Sequence, residues 1–372
     1  MDWYSEFNAL MSKPLEYPLA LAPIIFILGA MVGSLLNVCI YRMPLEKSMW
    51  WPGSRCGNCY QPVRKMDNLP LLSYWFLKGK CRTCGMKFSS RYFWIELFTA
   101  LVFVVTFVLY MKNAYIVSEA FQGVPRTAMF GMWLYHITFL CFLIVASMTD
   151  FDLREIPLRL TIPGTIIGII GGSFVGWPWP LSINHPAVQT SFLGGLHYWP
   201  FWAPLSDVTL PMIGTPEPGA WYVGLLTSLI GALAGTGLIR LLRALFSWAY
   251  EREAMGLGDA DLLMLIGAFL GWQALVLVMG YAIILGLMYV LVMFLFKGGS
   301  ELPFGPPLAG GAVLVLFDFA RMHDLIRPYI FNSLHVTIAV FFFVFLSFNA
   351  CMVIRFMRVG FRAISKSTAS TG

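Results

Sequence analysis

Apolar residues gather along this chain in nine runs, at about residues 19–41, 93–111, 128–149, 158–176, 221–246, 261–278, 279–297, 307–320 and 334–354. Most reach the ~18–20 residues a helix needs to cross about 30 Å of hydrocarbon. The eighth run is short and the sixth and seventh nearly abut, so the pattern predicts an all-α polytopic membrane protein with eight or nine transmembrane helices. Two stretches break the pattern. Residues 42–92 hold ten Lys/Arg and two pairs of cysteines, which predicts a small polar domain inserted after the first helix. Residues 177–220 hold eight prolines and no Lys or Arg, with Trp177, Trp179, Trp199 and Trp202 suited to a membrane interface, and are expected to form an irregular extracytoplasmic loop. The chain therefore divides into 1–43 (N-terminal segment and first helix), 44–92 (cysteine domain), 93–176 (transmembrane helices), 177–220 (loop) and 221–372 (remaining helices).

Composition supports this division. Charged residues make up 12% of the 372, about half the usual share of ~25% in a soluble chain, and mean hydropathy is +0.73. A soluble multidomain fold could not cover so much apolar surface. The net charge of +6 is then topology information and not a nucleic-acid footprint. With the amino terminus outside, 20 Lys/Arg fall on the cytoplasmic side and five (Lys13, Lys112, Arg126, Arg321, Arg327) on the other. That bias places the cysteine domain and the carboxyl terminus in the cytoplasm. Residues 1–18 are mixed and acidic, unlike a cleaved secretory signal, so the first helix is expected to be retained.

Cys56-Gly-Asn-Cys59 and Cys81-Arg-Thr-Cys84 form C-x2-C-x21-C-x2-C, close to the spacing of a four-cysteine zinc site. Two such knuckles can close a tetrahedral site that holds a domain with little core. A pair of disulfides is the alternative, and it would require an oxidising compartment that the basic loop argues against. Cys39, Cys141 and Cys351 lie in apolar runs and read as small buried side chains.

Carboxylates beside apolar runs invite a functional question. Asp150 ends the third run, and Asp259 in Gly256-Leu-Gly-Asp259 opens the sixth, so the topology puts both at one depth on one side. Two carboxylates sharing a site cannot both ionise cheaply; one holds a proton while the other stays basic, which suits activation of water against a peptide carbonyl. Gly256 and Gly258 would let an extended substrate backbone approach Asp259. A rival reading takes Asp150 with Asp152 and Asp259 with Asp261 as a divalent-cation site of a transporter. A third reading is a non-catalytic assembly factor whose cysteine domain recruits a partner.

Further motifs fall in order: Gly33-Ser-Leu-Leu-Asn-Val-Cys-Ile-Tyr-Arg-Met-Pro44, Pro52-Gly-Ser-Arg-Cys56, Asp67-Asn-Leu-Pro-Leu-Leu-Ser73, Arg91-Tyr-Phe-Trp-Ile-Glu96 and Pro303-Phe-Gly-Pro306. Together with the cysteines and the two aspartates, this set resembles the type IV prepilin peptidases, also called prepilin leader peptidase/N-methyltransferases. The resemblance implies that Asp150 and Asp259 are the catalytic pair of a membrane aspartic endopeptidase in the bacterial inner membrane. It implies prepilins and pseudopilins as substrates, cut at the cytoplasmic face, and in many members N-methylation of the new terminus with S-adenosylmethionine. Asn37, Arg42 and Glu46 are polar candidates near the cysteine domain for that second activity. The chain differs from the family pattern at Asp261, where a Lys is usual, at Leu158, where Asp or Asn is common, and in residues 177–220 and 334–354.

Overall fold

In the computed structural model, the described residues are 17–120, 126–175, 221–250, 256–295 and 303–330, with a few isolated positions besides. Among them the regular elements are helices: α1 Pro18–Arg42, α2 Leu72–Phe76, α3 Arg91–Ala120, α4 Arg126–Leu153, α5 Leu158–Val175, α6 Trp221–Tyr250, α7 Gly258–Leu270, α8 Trp272–Leu295 and α9 Gly305–Ile330. The predicted extracytoplasmic loop at 177–220 and the ninth run at 334–354 lie outside the described residues. Five helical stretches are long and apolar enough to cross a membrane: Pro18–Arg42, Arg91–Met111, Phe130–Leu153, Gly224–Leu245 and Ala274–Met293. Two shorter apolar stretches, Leu158–Ser173 and Gly305–Phe317, stand among them.

One predicted boundary is corrected. The runs 261–278 and 279–297 suggested two equal helices, but the break falls at Gly271, whose φ of 80° no β-carbon favours and whose N–H closes on the Gly267 carbonyl at 2.8 Å. Helix α7 is left with 13 residues, about 20 Å at 1.5 Å per residue. It is too short to span and too apolar for water, and it is instead enclosed by α5, α6, α8 and α9: from Ala260 to Leu270 all but Met264 is buried. Apolar continuity at 271–278 concealed the boundary, because both sides of it are buried or face lipid.

Close helix crossings rest on glycine. A β-carbon on Gly29 would stand 2.8 Å from Cα of Ala100, and one on Gly33 2.8 Å from Cα of Glu96, so α1 and α3 touch backbone to backbone. Along α6, Gly231 faces the Gly267 carbonyl and Gly235 faces the Leu263 carbonyl, which brings α7 equally close. The bundle core adds aromatic packing, with Phe139 of α4 stacked on Phe269 of α7 at 4.7 Å. Some polar groups at this depth are paired: Tyr110 Oη and His136 Nδ1 share a hydrogen bond of 2.6 Å, and Trp133 donates to Thr106 at 3.0 Å. Outward-facing positions such as Ile283, Ile284, Leu287, Met288 and Leu291 of α8 are exposed and apolar, as a surface in lipid requires. The fold is that of a polytopic helical membrane protein with a small cysteine-bearing domain after its first helix.

Candidate active site and metal centre

Asp150 lies in the last turn of α4, 6% exposed. Its carboxylate accepts a hydrogen bond of 2.7 Å from the N–H of Gly305, 155 residues further on. Gly305 opens α9 and is followed by Pro306 and Pro307, which carry no N–H, so its own amide is an unpaired first-turn donor available to an anion. Only glycine fits: a β-carbon there would stand 2.6 Å from Asp150 Oδ2 and 3.0 Å from its Cβ.

Asp259 stands in the first turn of α7, a turn with no side-chain cap. The segment following Asp150 packs on its neighbour, since a β-carbon on Gly258 would meet Ile156 at 3.3 Å. Two helix amino termini, those of α7 and α9, thus converge with the carboxyl end of α4, and their dipoles favour negative charge there. Gly258 is occupied on one side by Ile156, whereas Gly256 has open space around it.

The neighbouring carboxylates have other partners. Asp152 pairs with Arg91, which opens α3, at 2.5 Å. Asp261, 4% exposed, takes a hydrogen bond of 3.1 Å from Arg240 of α6, whose Nε also donates to Thr236. The four carboxylates of the cation-site reading are therefore not gathered around one point. Among the described residues, the one group of three or more possible metal ligands is Cys56, Cys59, Cys81 and Cys84.

Each of these knuckles is a tight turn between two bridged residues, Arg55 with Pro62 and Lys80 with Lys87. In both, the residue after the second cysteine (Tyr60, φ 57°; Gly85, φ 70°) turns left-handed and returns its N–H to the first cysteine's carbonyl. All four Sγ atoms lie within 4.8 Å of one another, with Cys56 to Cys84 at 3.7 Å and Cys59 to Cys81 at 4.0 Å. A tetrahedron of thiolates about 2.3 Å from a central ion has edges of about 3.8 Å, whereas a disulfide would need about 2.05 Å. Electrostatics agree: amide hydrogen bonds from Cys59 and Asn58 bring the Cys56 thiol down to about 6. Cys59, despite a lowering hydrogen bond from the Gln61 amide, is pushed up to about 11 by desolvation and by the other three sulfurs. Four thiolates so close cannot all form without a cation among them, and the donor set fits a soft, tetrahedral one.

The same domain is pinned to the helices. Arg82, inside the second knuckle, grips Asp67 through Nε at 2.8 Å and Nη2 at 2.5 Å, and this pairing holds the Asp67 carboxyl below its usual range. Glu96 of α3 accepts the Leu71 N–H at 2.7 Å, and Asn37 of α1 donates to the Tyr92 carbonyl at 3.1 Å. Arg42 reaches the Ser48 and Pro52 carbonyls, and the Glu46 carbonyl accepts from Arg159. Sequence reasoning gave no structural role to Gly305, Arg240 or Arg91. Gly305 was visible in the Pro303-Phe-Gly-Pro306 motif, but an isolated arginine at a helix end carries no signal of its partner.

A multi-helix membrane protein with a buried and a half-buried aspartate, Asp150 and Asp259, at the meeting of three helix ends, and four thiols set for a metal, is the class that fold and site define. Family descriptions refine it: a bacterial peptidase A24 N-terminal domain matches residues 27–110, and the type IV leader peptidase family matches residues 137–291. The chain belongs to the type IV leader peptidase family. Similar proteins include a prepilin leader peptidase/N-methyltransferase of Pectobacterium carotovorum subsp. carotovorum, 28% identical over 77% of this chain and 89% of that protein. Another, from Dichelobacter nodosus, is 29% identical over 85% of this chain and 98% of its own length. A type 4 prepilin-like proteins leader peptide-processing enzyme of Escherichia coli O78:H11 is 26% identical over 81% of this chain and 96% of that protein. No solved structure matches.

Proposed function

We propose that this chain is an aspartic endopeptidase that removes the leader from type IV prepilins or pseudopilins at the cytoplasmic face of the inner membrane. In this reading it also N-methylates the new amino terminus with S-adenosylmethionine. The observation that supports the peptidase reading is the meeting of the α4 end carrying Asp150 with the amino termini of α7, which carries Asp259, and α9, whose Gly305 amide holds the Asp150 carboxylate. A carboxylate fixed by an amide hydrogen bond keeps one orientation. The two acids share one proton, the basic member taking a proton from water while the protonated one polarises the scissile carbonyl. Substrate backbone approaches by way of Gly256, which has open space around it, and past the side of Gly258 that Ile156 does not cover. The cysteine domain holds structural zinc through Cys56, Cys59, Cys81 and Cys84. The basic flank of the domain and the positive-inside bias support the cytoplasmic orientation. Names of the similar proteins support the methyl transfer; the side chains of Asn37 and Arg42 are engaged with backbone carbonyls, so neither is assigned to the methyl donor.

The cation-transport reading is weakened by the arginine partners of Asp152 and Asp261. The deciding experiment incubates the purified chain with a leader-bearing pilin, with and without S-adenosylmethionine, and reads intact masses. Asp150→Asn and Asp259→Asn should each fold and lose about 10³-fold or more in leader removal. Efficient cleavage by either variant ends the pairing, and absence of cleavage by the unaltered chain ends the peptidase reading.

A further inference from the structure

The short helix α2 presents an apolar face to the outside. Leu72, Trp75 and Phe76, spaced i, i+3 and i+4, are exposed, with Trp75 at 69% and Phe76 at 73%. Its other side is anchored: Tyr74 packs on Phe88 at 5.6 Å and on Phe93 at 5.7 Å, and Gly79 turns against the Tyr74 ring. The exposed aromatics are therefore held outward by a fixed frame. Trp75 also meets Phe93 edge-on at 5.9 Å, and Phe93 meets Trp94 at 5.4 Å. Trp94 begins the outward stripe of α3, which runs on through Phe98, Leu101, Val105 and Leu109, all exposed. In a helix read as membrane-spanning, that stripe is the face in contact with lipid. The apolar surface of the cysteine domain is thus a continuation of a lipid-facing surface, turned through Trp94 and Trp75 at the level where tryptophan is favoured.

Charge points the same way. Residues 42–92 carry ten Lys/Arg against two acids, Glu46 and Asp67, and exposed Lys78 and Lys80 directly follow α2. We propose that Leu72, Trp75 and Phe76, with Lys78 and Lys80 beside them, seat the cysteine domain in the headgroup layer of an anionic leaflet, so that the domain is held to the bilayer by its own lipid contact as well as by α1 and α3. Aromatic side chains enter the boundary between headgroups and acyl chains, while the lysines meet lipid phosphates. This inference does not depend on the peptidase reading.

The test uses the full chain in nanodiscs. A benzoylphenylalanine photoprobe replaces Phe76 in one variant and Phe98, within the α3 stripe, in another, and adducts are identified by mass. Discs made of phosphatidylethanolamine and phosphatidylglycerol should give lipid adducts at both positions. Replacing phosphatidylglycerol by phosphatidylcholine should cut the yield at position 76 by about threefold or more and leave position 98 unchanged. Lipid adducts at 98 but none at 76, adducts at 76 with a second copy of the chain, or equal yields in the two lipid mixtures would each overturn the proposal. In parallel, Trp75→Ser/Phe76→Ser should keep the domain's metal content and accelerate amide exchange across residues 65–90 in anionic discs. Retained metal with unchanged exchange would refute the seat without any question of misfolding.

Discussion

Gly305 shows how much one missing methyl group can decide. Its amide binds Asp150, and a β-carbon at the same place would collide with the carboxylate it serves. Gly305→Ala should therefore displace Asp150 while leaving the bundle assembled. The expected result is a loss of about 100-fold in leader cleavage, with thermal unfolding in detergent shifted far less than the rate. The departure at Asp261 has a partner in space: the positive charge beside it comes from Arg240 on α6. Arg240→Ala leaves a nearly inaccessible carboxylate without its ion pair, a change of about 1–3 kcal/mol. Adding Asp261→Asn should restore part of that stability, measured by denaturant or thermal unfolding of both variants; purely additive losses would mean the pair is not coupled.

Among the elements, α6 and α7 form the tightest dependence. Gly231 faces Gly267 and Gly235 faces Leu263 at backbone distance, then Arg240 reaches the first turn of α7, so one edge of α6 fixes α7 along its length. Gly267→Ala should push these helices apart, cost about 1–3 kcal/mol by overpacking, and slow cleavage through movement of Asp259; unfolding midpoints and rates together would report it. Much of this was legible beforehand. The first five apolar runs match helices closely and the eighth lies within α9, because lipid and core both select apolar side chains over the same lengths. Asp150 and Asp259 were placed at a common depth by topology alone. The end of α7 was not legible, since Gly271 lies in apolar sequence interrupted nearby only by Gln273. Nor were the pairings of Asp152 with Arg91 and Asp261 with Arg240, because they depend on how the helices rotate, and the low amphipathicity of buried membrane helices leaves rotation unmarked. The two D-x-D pairs looked equivalent in sequence; the fold separates each into one acid near the helix junction and one held by arginine.

For the whole molecule, the cysteine domain and the bundle are distinct in what stabilises them. The domain lacks an apolar core of its own: its tryptophans at positions 50, 51 and 75 are exposed, and four thiols provide its centre. Chelation, or Cys84→Ser, should therefore unfold residues 44–90 selectively, seen as lost protection from amide exchange, while α4 to α9 keep theirs. The contacts from Arg91 to Asp152 and from Arg159 to the Glu46 carbonyl carry that disturbance to the helices around Asp150. Leader cleavage should then weaken without collapse of the bundle.

The amide that orients Asp150 is supplied by a helix synthesised 155 residues later. A ribosome that has released α1 to α8 into the bilayer has delivered both acids, yet the first still lacks its fixed orientation. If Asp150 is one of the catalytic pair, as proposed, competence should arise at a single late moment of biogenesis, when the Pro303-Phe-Gly-Pro306 corner docks. A stop codon at residue 300 should therefore yield an inserted but silent protein, loosened where the buried α9 residues Leu308, Ala312, Val315 and Leu316 are missing, that a separately expressed C-terminal fragment can awaken.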